Sequence, residues 1–127
     1  VKALRNEPLP VHGDGEQVTD QIYVKDLCKG MILIWDACAW GKVIDLGTGV
    51  PTTVNELARL IIRTAKSSSQ IMHTPMRMGE PPTGGLQLAD TTLARELLQF
   101  EPKVSLQAGL ATTIDWYREN YPKMEVK

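Results

Sequence analysis

The sequence predicts an α/β layer domain, a small mixed sheet of short strands covered by about four helices. Three observations lead there. Short apolar runs bounded by Gly and Pro alternate with stretches whose apolar residues recur at helical spacing. Most of those helical stretches open on a residue able to cap a helix. Finally, 127 residues with 43% apolar and 23% charged side chains suffice for one core and not for two, so 1–127 reads as a single domain.

The elements follow in order. Leu9 to His12 reads as a strand, with Pro10 suggesting an edge. Gly13-Asp14-Gly15 is a turn, and Gln21 to Val24 is a second short strand. Asp26 is the expected N-cap of a helix carrying Leu27, Met31, Ile34, Trp35 and Cys38 as its inward stripe, closed by Gly41. Lys42 to Leu46 is the strongest strand candidate, and Gly47 to Pro51 turns it. Thr53-Val54-Asn55-Glu56 has the form of a capping box before Leu57, Ala58, Ile61 and Ala65. Ile71 to His73 is a strand. Residues 74–86, with three prolines and three glycines, form a loop. Asp90 caps a short helix with Leu93, Ala94, Leu97 and Leu98. Ser105 caps the last, with Leu106, Leu110, Thr113, Ile114 and Tyr117 inward.

Charge and composition exclude several functions. Fourteen basic residues face fifteen acidic ones, which leaves no excess to neutralise a phosphate backbone, so nucleic acid is not an expected partner. The longest apolar run, Met31 to Trp35, is far short of the roughly 20 residues of a membrane span, so no membrane partner is expected. No charged-then-apolar leader is seen, and Cys28 and Cys38 read as reduced, half-buried thiols of a cytoplasmic protein. Val1 to Arg5 read like the end of a helix begun earlier, so the chain is expected to be a fragment or a domain lacking its upstream half.

Candidate chemistry is sparse. Gly47-Thr48-Gly49 mimics a dinucleotide turn, but Thr52 stands where the third glycine belongs and no acidic strand end follows about 20 residues on, so a structural turn is expected. No Tyr precedes a Lys by four residues, no serine elbow or His-Glu-x-x-His is present, and the spacing of Asp14, Glu16, Asp20 and Asp26 does not fit a calcium loop. No catalytic or metal-binding residue is therefore expected. Trp35, Trp40 and Trp116 read as packing residues. Arg77, in a loop after a strand, can fork onto a phosphate or carboxylate, or pair with Glu80.

Gly13-Asp14-Gly15-Glu16-Gln17-Val18-Thr19-Asp20 and Tyr23-Val24-Lys25-Asp26 resemble the G-D-G-x-Q-x-R-D-x-x-Y-V-x-D stretch of the NAD-dependent epimerase/dehydratase family, extended short-chain dehydrogenase/reductases that act on nucleotide sugars. Leu46-Gly47-Thr48-Gly49 resembles that family's N-x-G-T-G turn. Arg77-Met78-Gly79-Glu80 resembles its R-x-G-E loop, and 90–117 its C-terminal helices. The resemblance covers nearly the whole chain, in order, and only the C-terminal part of the family. It implies the substrate-side domain, with NAD and the Tyr/Lys catalysts belonging to an N-terminal Rossmann domain absent here, and no cofactor in this chain. It further implies that Arg77, Gln17, Val11 and Glu80 bind a nucleoside diphosphate sugar, with Leu9 to Gly13 beside the base. Thr19 replaces the family's second arginine, Gln21 an aromatic and Asp45 an Asn. The lost arginine removes a charge-assisted contact of about 1.5–3 kcal/mol.

Two functions are therefore carried forward. One is the nucleotide-sugar-binding part of an epimerase or dehydratase, not catalytic alone. The other is an orphan module, derived from such a domain, that self-associates or binds a partner without binding nucleotide sugars. On either, a free-standing chain is expected to form a homodimer through apolar surface that a Rossmann domain would cover.

Overall fold

The computed structural model describes residues 1–79 and 85–124. A 3-10 turn over Lys2–Arg5 leads into β1 (Leu9–His12) and β2 (Val18–Asp20). Then come α1 (Val24–Asp36), β3 (Pro51–Thr53), α2 (Val54–Ala65) and β4 (Ile71–Thr74), followed by β5 (Leu86–Gln87), α3 (Thr92–Leu98) and α4 (Leu106–Met124). The α/β class is as the sequence predicts. The expected single mixed sheet is instead two among the described residues. β1 pairs β4 in parallel, Leu9 opposite Ile71 and Val11 opposite His73. β2 lies between antiparallel β3 and parallel β5. Pro10 is tolerated because β1 pairs on one side only among the described residues.

The capping box before α2 forms. Thr53 N–H donates to Glu56 Oε2 at 2.8 Å, and Glu56 N–H donates to Thr53 Oγ1 at 3.1 Å. At its other end, Arg118 of α4 donates to the Ala65 carbonyl at 2.9 Å. Ala65, Ile114 and Ala3 are buried together there, flanked by Leu4, Leu9 and Ile61. Ser105 caps α4 as expected, its hydroxyl accepting from Ala108 N–H at 3.3 Å. For α3 the cap is shifted by one: Thr91 is the N-cap, while the Asp90 carboxylate accepts from Thr92 N–H at 3.0 Å.

Four expectations around α1 are corrected. The second strand is Val18–Asp20, not Gln21 to Val24, because 18–20 pair with β3 and Val18 and Thr19 also pair with β5. Asp26 does not cap α1; Tyr23 holds that place. Asp26 is 1% exposed, inside the first turn, and its carboxylate accepts from Lys103 N–H at 2.9 Å and Val104 N–H at 2.8 Å, which ties α1 to the entry of α4. The helix ends at Asp36, with Cys38 in the left-handed conformation, φ 49°, just after it, while Gly41, φ 75°, lies in the turn beyond and does not close the helix. The inward face is Asp26, Leu27, Gly30, Leu33 and Ile34, whereas Met31, Trp35 and Cys38 face solvent. Leu33 and Ile34 pack on the second core, Ala94, Leu98 and Phe100.

Lys42 to Leu46 is not a strand among the described residues: it joins neither sheet, and its recorded tie to a neighbouring segment is Asp90 N–H, 3.4 Å from the Asp45 carboxylate. Ile44 and Leu46 pack on the second core, and Val43 points outward at 86% exposure.

Burial pushes the Asp26 pKa up, but the two backbone donors and Lys29 outweigh it and hold the carboxyl below its ordinary value. The charged form is thus favoured by the fold, and that stability drains as pH falls through the folded pKa, below about 4. Asp26→Asn turns one acceptor into a donor facing N–H groups. Its expected cost is about 2–3 kcal/mol at neutral pH, read from urea midpoints, with a shallower loss of stability between about pH 4 and pH 2 than in the parent chain.

Candidate functional site

The Gly13-Asp14-Gly15 turn that follows β1 is fixed from α2. Asn55, buried in the first turn of α2, donates from Nδ2 to the Asp14 carbonyl at 2.8 Å and to Glu16 at 2.7 Å. Its Oδ1 accepts from His73 Nε2, 3.0 Å away on β4. One side chain thus ties the turn, the helix and β4 together, and a cleft of about 380 Å³ opens beside them.

Three of the four residues singled out in the sequence line this cleft. Val11 is 4% exposed on β1, Gln17 lies half-buried before β2, and Arg77 stands exposed in the loop after β4. Glu80 lies outside the described residues. The sequence reading missed Met76, Val54 and Gln87 as lining residues. Met76 was signalled by its place next to Arg77, and Val54 by its place at the start of a capped helix; a two-residue strand such as β5 leaves no periodicity to read.

The loop that carries Arg77 is held against the cleft by contacts to the β1 end. Gln17 Nε2 donates to the His12 carbonyl at 3.0 Å and lies 3.5 Å from Met76 Sδ. His12 Nδ1 sits 2.9 Å from Thr74 Oγ1 and 3.3 Å from the Pro75 carbonyl, so the tautomer with the proton on Nδ1 satisfies that carbonyl. Gly13 makes the fit possible: φ is +74°, and a Cβ there would come 2.5 Å from Met76 Cε. Gln17 Oε1 is buried and has no partner among the described residues. A donor supplied at that point would remove a desolvation cost of about 1–3 kcal/mol.

The cleft is electrically simple. Arg77 is the one permanently charged side chain among its described lining residues. Thr19 and Gln21 are bonded to each other: Gln21 Nε2 donates to Thr19 Oγ1 at 2.9 Å, and that hydroxyl donates to the Thr52 carbonyl at 3.3 Å. Together they form a neutral hydrogen-bonded pair, of which Thr19 lines the cleft and Gln21 stands behind it.

The glycine turn does not fit a dinucleotide. Its Thr48 and Gly49 N–H groups donate to the Asp20 carboxylate at 2.8–3.0 Å, as does the Thr48 hydroxyl. A Cβ on Gly47 would collide with Asp20 and Ala89. The donors a pyrophosphate would need already serve the protein's own anion. Burial raises the Asp20 pKa, but these hydrogen bonds outweigh it and lower it overall. Among the described residues no cluster suits a metal ion, and no helix is long and apolar enough to cross a membrane.

No protein-family model matches the chain. It is 35% identical over 121 residues to a UDP-N-acetyl-alpha-D-glucosaminuronate decarboxylase of Bacillus cytotoxicus, covering 92% of this chain and 37% of that protein. It is also 35% identical over 118 residues to UDP-glucuronic acid decarboxylase 2 of Arabidopsis thaliana, covering 93% and 26%. An epimerase from Methanothermobacter thermautotrophicus superposes with TM-score 0.88 at 31% identity, covering 99% of this chain and 37% of that one. The UDP-glucose 4-epimerase of Thermotoga maritima, solved with UDP-glucose, superposes with TM-score 0.80 at 34% identity, covering 94% and 38%. The chain thus spans about a third of the length of the curated relatives it matches.

The Gly13–Met76 contact is testable by a double-mutant cycle. Gly13→Ala is expected to cost about 1–2 kcal/mol, and Met76→Ala should recover part of it. A coupling of at least about 0.5 kcal/mol in urea unfolding is expected; additive effects would show that the two do not touch.

Proposed function

We propose, from this kinship with NAD-dependent epimerases and dehydratases of nucleotide sugars, that residues 1–127 act as the substrate-side domain of such an enzyme. The domain binds the nucleoside diphosphate end of the sugar nucleotide and supplies no catalytic group. The observation that carries this reading is convergence. Val11, Gln17 and Arg77 lie 66 positions apart end to end in the chain and line one cleft, with an apolar strand on one side and a guanidinium on the other. That is the arrangement an amphipathic ligand with a flat base and an anionic tail requires. The relative from Thermotoga maritima, solved with UDP-glucose, supports the ligand class. NAD belongs to the part of such enzymes this chain does not span, since the glycine turn here serves Asp20.

A second reading, a self-associating module without nucleotide-sugar binding, is favoured by the neutral Thr19–Gln21 pair and by apolar side chains that α1 leaves in solvent.

Titration of the chain with uridine diphosphate at low salt separates the two. Saturable binding is expected, weakened by Arg77→Ala roughly tenfold or more, as one charge-assisted contact implies. Thr19→Arg is expected to tighten it by about tenfold, by adding a second cation. Neither the chain nor these variants should turn over a sugar nucleotide. Binding indifferent to Arg77→Ala, or no binding at all, would overturn the reading.

A further inference from the structure

His12 is the one histidine among the described residues that line the cleft, and histidine is the side chain whose charge changes near neutral pH. It sits half-buried at the end of β1, and its ring is held in a fixed sense. Thr74 Oγ1, 2.9 Å from His12 Nδ1, lies 3.4 Å from the Val11 carbonyl, which accepts the hydroxyl proton. The Pro75 carbonyl, 3.3 Å from the same nitrogen, can only accept. Both neighbours of Nδ1 are therefore acceptors, so Nδ1 keeps its proton and a change of charge falls on Nε2. Nε2 has no hydrogen-bond partner among the described residues. The groups around it decide when that change is favoured. Among the described lining, the loop after β4 presents Arg77, while β2, α2 and β5 present no titratable side chain. On β4, His73 gives its Nε2 to Asn55 Oδ1 and does not line the cleft. In the turn after β1, the Asp14 carboxylate accepts from Glu16 N–H at 2.9 Å, and Glu16 accepts from Asn55 Nδ2 at 2.7 Å. A proton on His12 thus places a second cation in the cleft with Arg77, which opposes it, and an anion between them turns opposition into attraction.

We infer that His12 makes anion binding in this cleft proton-linked: the ring takes up a proton at Nε2 as a diphosphate binds, and affinity rises as pH falls. The inference rests on the proposed reading of the cleft as a nucleoside diphosphate site and adds its regulation by pH. The sign follows from charge. The protonated ring attracts the anion and the neutral ring does not, so the gain is present at low pH and lost as the ring deprotonates. Linkage is reciprocal, so the anion strengthens proton binding by the factor by which the proton strengthens anion binding. Direct contact is not required. A cleft of about 380 Å³ keeps an anion inside it within roughly a Debye length of His12, about 10 Å in 0.1 M salt. Below neutral pH, His12 thereby supplies the second positive charge that Thr19 does not carry.

Calorimetric titration of the chain with UDP-glucose at low salt tests this, because that diphosphate diester keeps its own charge between about pH 8 and about pH 5.5. Affinity is expected to rise at least about threefold over that interval. Net proton uptake is expected near its middle, read as a binding heat that changes with the ionisation enthalpy of the buffer. His12→Asn keeps an N–H in the place of Nδ1–H and has no titrating nitrogen. It should lose both the rise and the uptake, whatever affinity it keeps at about pH 8. His73→Gln, the control for the chain's other histidine, should show both. In the parent chain the His12 ring, followed by NMR, should titrate at higher pH with UDP-glucose bound than without, which decides the matter if the variant does not fold. A rise that survives His12→Asn, or UDP-glucose binding indifferent to pH, would overturn the inference and leave the functional reading standing. If UDP-glucose does not bind at any pH, sulfate, whose charge is also constant, replaces it in the NMR titration. A His12 titration moved to higher pH by sulfate, and no longer moved in Arg77→Ala, then sinks the functional reading alone; an unmoved one sinks both.

Discussion

The Asp20 carboxylate is the constraint on which the other parts depend. It ends β2 and gathers the N–H groups of Thr48 and Gly49 with the Thr48 hydroxyl; Ala89 N–H lies 3.4 Å from it. Three stretches of chain far apart in sequence meet on one charge. A carboxylate taken from water must be met by donors, and this one is met by the backbone of a turn that has no room for a side chain at Gly47. Asp26 repeats the device six residues on, at the entry of α4. The two acids, which a motif search notices only as a loose acidic cluster, hold the layers in register.

Much of this was legible in the sequence, and the failures have causes. Residues Thr53 to Glu56 carried their own cap chemistry, and β1, β4 and α4 followed from local pattern. Asp26 misled because the side chain that suits an N-cap also suits any pair of orphan N–H groups, and its pair came from 103–104. Helix α1 misled because a periodicity test assumes one apolar stripe and this helix has two. The Lys42 to Leu46 alternation is genuine strand chemistry that finds no pairing strand among the described residues. In the cleft, Val11, Gln17 and Arg77 were found through motif resemblance. Met76 and Val54 had only their neighbours, Arg77 and the Thr53 cap, to mark them, and Gln87 becomes visible only once β5 pairs with β2.

The cleft's neutrality has a local logic. Thr19 and Gln21 differ from the sequence pattern the chain otherwise follows, and they meet each other through one hydrogen bond. The Thr19 hydroxyl is used both ways, accepting from Gln21 and donating to the Thr52 carbonyl. Arg77 is then the one permanently charged side chain of the described lining, and the affinity of any anion there is tied to the loop after β4.

The parallel pairing of β1 with β4 has a kinetic side. His12 and Thr74, which face each other across it, are 62 residues apart in the chain, and a parallel pair cannot be closed by a tight turn. Everything between must be laid down or looped out before the pair can zip, so its closure entropy falls due late in folding. The cleft is the seam of that closure, with one wall from β1 and the other from the loop beyond β4. It is accordingly among the last features to assemble and, in unfolding, among the first to part. A ligand seated across the seam would therefore slow unraveling far more than it speeds folding.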